Sequence, residues 1–214
     1  MDAVRHDAGM LASYGAFDPY CGGPAPDALT GYLLVATPRL VDPNFERTVT
    51  LVLDHGDHGA LGVVIDSPGG VDVGEILPAW RSLAAAPTEI FRGGPVASNA
   101  LVALGRLTVP VDPGGGDEPL GWRLVVDGDG PVGTFDLSVP PVPAIEAVRV
   151  FAGYAGWDAG QLEDEISTGS WYVVPAEPGD ALDGDPGSMW ARVLRRQGGT
   201  WAMVASYPAD PSVN

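Results

Sequence analysis

Residues 48–53 and 60–65 alternate β-branched and apolar side chains, and only Asp54-His55-Gly56-Asp57-His58-Gly59 lies between them. Alternation places successive side chains on opposite faces of an extended chain, and a short link rich in Asp and Gly folds the two runs back on each other. This hairpin commits the chain to a sheet. Short apolar runs at 32–36, 100–104, 122–126, 132–137, 148–151 and 171–174 supply further strands. Between them, Pro113-Gly114-Gly115-Gly116 reads as a flexible loop and Asp127-Gly128-Asp129-Gly130 as a tight turn.

Helical spacing is rarer. Val73, Ile76, Leu77, Trp80, Leu83 and Ala84 recur at three and four residues, but Pro78 interrupts them and Pro87 closes the run. The spacing therefore predicts a kinked helix or two short pieces. A second helix is expected after Trp157, where Asp158 and Gln161 have capping-box spacing and Leu162 and Ile166 share a face. A third takes Asp185 as N-cap and Pro186 as its first residue, buries Trp190, Val193 and Leu194, and stops at Gly198-Gly199. Strands outnumber helices without alternating regularly with them. The expected fold is α+β: one compact domain over 30–214, a mixed, partly barrel-like sheet flanked by a few helices. Residues 1–29 show no sustained period, contain Gly15, Pro19, Gly22, Gly23, Pro24 and Pro26, and read as a disordered tail.

Charge narrows the partners. The chain carries 28 acidic and 11 basic residues, a net charge of −17, and all its bases are arginine. Neutralising a row of phosphates takes clustered Lys or Arg, so neither nucleic acid nor an anionic membrane is an expected partner. The one basic cluster, Arg192, Arg195 and Arg196, falls on the last turns of a predicted helix, where it complements the negative end of the dipole. Cys21 is the only cysteine, so no intrachain disulfide forms. With no basic-apolar leader and no run of roughly 20 apolar residues, the expected location is the cytoplasm.

Several motifs, taken in order, resemble the YqgE/AlgH family. They are Gly31-Tyr32-Leu33-Leu34-Val35-Ala36, Asp42-Pro43-Asn44-Phe45-Glu46-Arg47-Thr48-Val49, Gly59-Ala60-Leu61-Gly62-Val63-Val64, Phe91-Arg92-Gly93-Gly94-Pro95-Val96, Gly153-Tyr154-Ala155-Gly156-Trp157 and Gly160-Gln161-Leu162-Glu163. The resemblance runs from about residue 30 to the C-terminus. It implies a compact α+β fold around a partly closed sheet and no established catalytic activity; some members are called transcriptional regulators, a label the charge of this chain disfavours. Where the family commonly places Asn before a basic residue and Pro, this chain has Asp66-Ser67-Pro68. An amide that donates and accepts is thereby replaced by a carboxylate that only accepts.

Two glycine-rich segments are the candidate ligand site. Gly93 and Gly94 allow neighbouring backbone N–H groups to converge on an anion beside the Arg92 guanidinium. The alternative is a bend between strands. The segment from Gly153 to Gln161 leads into a helix N-terminus, with Tyr154 and Trp157 able to stack on a planar ligand and Gly156 and Gln161 alongside; the alternative is aromatic side chains filling the core. The site requires the two segments to meet. Asp54, His55, Asp57 and His58 are metal-ligand types, but adjacent residues of a tight turn seldom converge on one ion, so no metal and no cofactor are expected. No Gly-x-Ser-x-Gly elbow occurs. The function expected is non-catalytic: binding of a small ligand or a protein partner in a regulatory role. An enzyme with its pocket between the two glycine-rich segments is the alternative, and direct transcriptional regulation a further one.

Overall fold

The structure, a computed structural model, describes residues 18–20, 26–108 and 119–207. Ten strands form one sheet system: β1 (Tyr32–Ala36), β2 (Val49–Gly56), β3 (Gly59–Val64), β4 (Pro68–Asp72), β5 (Glu89–Arg92), β6 (Val96–Leu107), β7 (Arg123–Val126), β8 (Val132–Thr134), β9 (Ile145–Trp157) and β10 (Trp171–Pro175). The strands run in the order β10-β1-β2-β3-β9-β6-β8-β7, with β5 joining β9 and β4 joining β5. All pairs are antiparallel except β5 with β9, so the sheet is mixed. Among the described residues four short α-helices accompany it: α1 (Val73–Ile76), α2 (Gln161–Ser167), α3 (Met189–Gln197) and α4 (Gly199–Val204).

Alternation explains why several strands are apolar on both faces. Leu33 and Val35 enter a main core with Leu51, Phe91, Leu104, Phe151, Val193 and Leu194, while Leu34 and Ala36 point the other way, to Trp157, Leu162 and Trp171. Ile90, Val148 and Val150 likewise turn away from the main core, to Trp80 and Phe135. Helix α3 closes the main core, α2 covers the second cluster, and α1 with the 3-10 turn Pro78–Leu83 belongs to the third. A strand covered on both faces loses its polar alternation, and burial of each large apolar side chain contributes roughly 1.5–3 kcal/mol.

The sheet rolls without closing into a barrel. Its ordered path ends at β10 and β7, and β7 approaches β2 and Gly31 without a ladder between them among the described residues. Gly31, at φ 80, is held so close to the Val125 carbonyl that a Cβ there would collide with it.

The expected hairpin forms as β2 and β3, but the ladder continues through His55↔Ala60 and Gly56↔Gly59. The turn is therefore only Asp57 and His58, and a bulge at Leu53 absorbs the change of register. The helix expected from 71 is two pieces, as Pro78 dictates, and begins at Val73 because 71 and 72 pair with β5. The predicted strand at 148–151 is a fragment of the 13-residue β9. Strands β4 and β5 and helix α4 had no recognisable period. Of residues 1–29, read as a tail, Pro19 accepts a hydrogen bond from the Val173 N–H (2.8 Å) on the outer edge of β10, and Leu29 is buried. Residues 1–17 and 21–25 lie outside the described residues, as does Pro113-Gly114-Gly115-Gly116. Among the described residues no helix is long and apolar enough to cross a membrane.

Candidate functional site

The two glycine-rich segments do meet. Residues 145–154 of β9 pair with β6, Phe151 and Ala152 with β5, and residues 155–157 with β3. Gly153, at φ 74, is the corner where β9 passes from one set of neighbours to the other. Gly93 donates its N–H to the Ala152 carbonyl (2.8 Å) and accepts from Val64 N–H (2.8 Å), so its backbone is consumed by the sheet. A Cβ on Gly93 would strike the Gly153 carbonyl, and one on Gly94 would strike the Tyr154 backbone. The glycines bring backbone against backbone. Gly153→Val is expected to cost about 2–4 kcal/mol, since the left-handed backbone and the contacts with Gly94 and Val96 both oppose a side chain. A thermal melt checks this; an unchanged midpoint would remove the corner argument.

Around this junction the other candidates separate. Arg92 is exposed, and among the described residues its guanidinium has no hydrogen-bond or ion-pair partner. Tyr154 is half-buried against the main core. Gly156 is an exposed strand residue opposite Leu61. Trp157 is 7% exposed and packs edge-on to Trp171 (6.3 Å between centroids), and both indole N–H groups donate to the same Glu165 Oε2 at 2.9 Å. Gln161 returns its Oε1 to the Asp158 N–H (3.0 Å) and donates from Nε2 to Glu165 Oε1 (2.9 Å). Only half of the expected capping box exists: the N-cap is Gly160 at φ 79, which makes no side-chain capping bond. Residues 153–157, expected as a loop feeding a helix, are strand.

Beside the corner lies a feature without a sequence signal. Between the pairs Val96↔Tyr154 and Leu101↔Ala152, β6 advances five residues while β9 advances two. Ala97 takes up part of the surplus at φ 46, a conformation that is strained for a residue with a Cβ. All of residues 96–101 are exposed. The row Arg92, Ala152, Leu101 runs across three strands on one face.

The polar turn engages its histidines within the fold. His55 Nδ1 accepts from Leu29 N–H (3.2 Å), which leaves Nε2 as the donor to Glu163 Oε1 (2.8 Å). His58 pairs instead with Asp54 (3.0 Å). Among the described residues no group of three potential ligands converges.

Two polar residues buried in the core matter more than the turn. Arg149 is 3% exposed, lies over the Phe91 ring (4.1 Å), and donates to the carbonyls of Ala181, Ala86, Leu182 and Pro87. Burial pulls its pKa down to about 10, with the Asp183 charge opposing. Asp66 accepts from Val49 N–H at Oδ2 (3.0 Å), while its Oδ1 and Thr50 Oγ1 are buried without a partner among the described residues. Burial raises the Asp66 pKa to about 7 against the lowering effect of the Val49 and Asp66 N–H groups. The replacement of the expected amide at 66 was the signal for the second; a lone arginine inside an apolar strand run was the signal for the first.

Known proteins match this chain over most of its length. A family profile described as AlgH-like matches residues 33–202. A UPF0301 protein of Streptomyces coelicolor is 55% identical, over 87% of this chain and 96% of its own length. One from Mycobacterium avium is 41% identical, over 92% and 96%. A crystal structure of DIP2367 from Corynebacterium diphtheriae superposes with a TM-score of 0.74 at 29% identity, covering 86% of this chain and 93% of that one. The solution structure of AlgH from Pseudomonas aeruginosa gives 0.59 at 26% identity, covering 87% and 97%. With its motifs, its open mixed sheet and these relatives agreeing, the chain belongs to the AlgH-like family.

Proposed function

We propose that this chain is a non-catalytic binding protein of the cytoplasm, and that it recognises a protein partner at the sheet corner beside Arg92. The observation carrying this reading is the excursion at residues 97–100, which holds Ala97 at φ 46 and leaves the whole 96–101 stretch exposed. A backbone held in a sparsely populated conformation has a cost of about 1–3 kcal/mol, and such strain clusters at functional positions: active sites, ligand clamps and switch regions. Arg92 supplies a cation without an ion-pair partner among the described residues, in a protein of net charge −17, and Val96 and Leu101, each 38% exposed, supply apolar area near it. The close-packed glycines favour a surface over a pocket between the two segments.

Both ring nitrogens of His55 are engaged within the fold, by the Leu29 N–H and by Glu163. Nucleic acid is not the proposed partner, because Arg196, of the one basic cluster, is tied to Glu177 and Asp180.

Affinity capture with quantitative mass spectrometry, using host extract and the wild-type chain, Arg92→Glu, Leu101→Glu and a distant Asp136→Asn control, tests this. A protein retained by wild type and control is expected to fall at least about tenfold with each corner variant, as the loss of ~1.4 kcal/mol requires. Identical capture by all four would overturn the reading.

A further inference from the structure

A cleft of about 450 Å³ opens between α3 and the loop that follows β10, lined by Glu177, Asp180, Asp183, Gly184, Arg192 and Arg196. That volume lies in the range of small-molecule sites. Most of its charges are already matched. Arg196 Nη1 pairs with Asp180 Oδ1 (2.8 Å) and Glu177 Oε2 (3.2 Å). Arg106 takes Asp183 Oδ2 (2.7 Å) and Glu146 Oε2 (3.3 Å). Arg192, one turn before Arg196 on the same helix, is half-buried and has neither an ion pair nor a hydrogen bond among the described residues. Its guanidinium lies close over Gly184, which adopts φ 83. Among the described residues Arg192 is thus the one arginine lining the cleft that no carboxylate neutralises.

We propose that this cleft binds a small amino-acid-like zwitterion, independently of the surface at Arg92. A planar carboxylate matches the fork of the Arg192 guanidinium. Glu177 and Asp183 line the cleft and each give one oxygen to an arginine, and the proposal assigns their second oxygens to the ammonium group. The acidic lining also selects against a multiply charged anion: a phosphate dianion would face Glu177, Asp180 and Asp183 with only one uncompensated cation, whereas a zwitterion adds no net charge.

The test is an amide and arginine Nε–H NMR titration of the full chain with L-alanine, acetate and inorganic phosphate as probes. L-alanine is expected to give saturable shifts at Gly184 and Arg192 with a Kd on the order of 1 mM, and acetate to bind roughly tenfold more weakly. Phosphate is expected to leave these signals in place. Arg192→Gln should weaken L-alanine binding at least tenfold, and Glu177→Gln should weaken L-alanine while sparing acetate. Failure of L-alanine to saturate at about 50 mM, an unchanged Kd in Arg192→Gln, or phosphate binding more tightly than L-alanine would each overturn the assignment.

Discussion

Arg149→Met is expected to lower the unfolding free energy by about 3–5 kcal/mol, and Arg149→Ala by at least as much. Methionine preserves most of the volume beneath the Phe91 ring, so its cost isolates the polar contacts. Arg149 Nε donates to Ala181 O (2.9 Å), Nη2 to Ala86 O (2.9 Å) and Leu182 O (3.0 Å), and Nη1 to Pro87 O (3.4 Å). One side chain on β9 thus fastens two separate segments, one before β5 and one before α3. Removing it leaves those carbonyls without donors at sites from which water is largely excluded. A pKa of about 10 keeps the guanidinium charged at neutral pH. Lysine retains the charge but replaces the planar fork with one ammonium, so Arg149→Lys should fall between wild type and Arg149→Met. Urea denaturation of the three variants decides the matter; a midpoint for Arg149→Met equal to wild type would show that the four carbonyls are not held by this residue.

Asp66→Asn is expected to do the reverse and stabilise the protein at neutral and higher pH. The buried Asp66 carboxyl has its pKa raised from 3.8 to about 7, chiefly by desolvation, and no charged side chain contributes to the shift. The sign follows from which state holds the proton. Below about pH 4 the carboxyl is protonated in folded and unfolded chains alike, and no penalty arises. As pH rises the unfolded chain releases its proton first, so stability falls until the folded carboxyl ionises near pH 7. Above that pH the accumulated loss is constant, about 4 kcal/mol. An asparagine accepts from Val49 N–H as the carboxylate does and does not titrate. Urea midpoints of wild type and Asp66→Asn should converge near pH 4 and separate toward pH 8, with the variant the more stable. A parallel pH dependence in the two proteins would locate the titrating group elsewhere.

The strained positions were the least legible in the sequence, and the reason is common to them. Gly93, Gly94, Gly153 and Gly156 read locally as loop, because glycine weakens a strand and offers no side chain to pack. In the fold the missing Cβ atoms of Gly93, Gly94 and Gly153 are what allow β9 to lie against other backbone segments at a corner. Ala97 carries no local sign of its φ of 46, since that conformation is imposed by the mismatch of β6 with β9. Trp157 had two readings, stacking surface or core; in the fold it is 7% exposed and shares the Glu165 carboxylate with Trp171.

Local period and turn chemistry were enough to place the β2–β3 hairpin, the interruption at Pro78, the buried stripe of Trp190, Val193 and Leu194, and the α+β class, because each depends on residues close together in the chain. Composition likewise determined the net charge of −17. The meeting of the two glycine-rich segments, the four carbonyls around Arg149, the burial of Asp66 and an Arg192 over Gly184 with no ion pair among the described residues were decided only by the tertiary structure. Each joins groups from different strands or loops, and the energy of a buried charge or a close backbone contact depends on neighbours brought together across the fold, which no window of sequence contains.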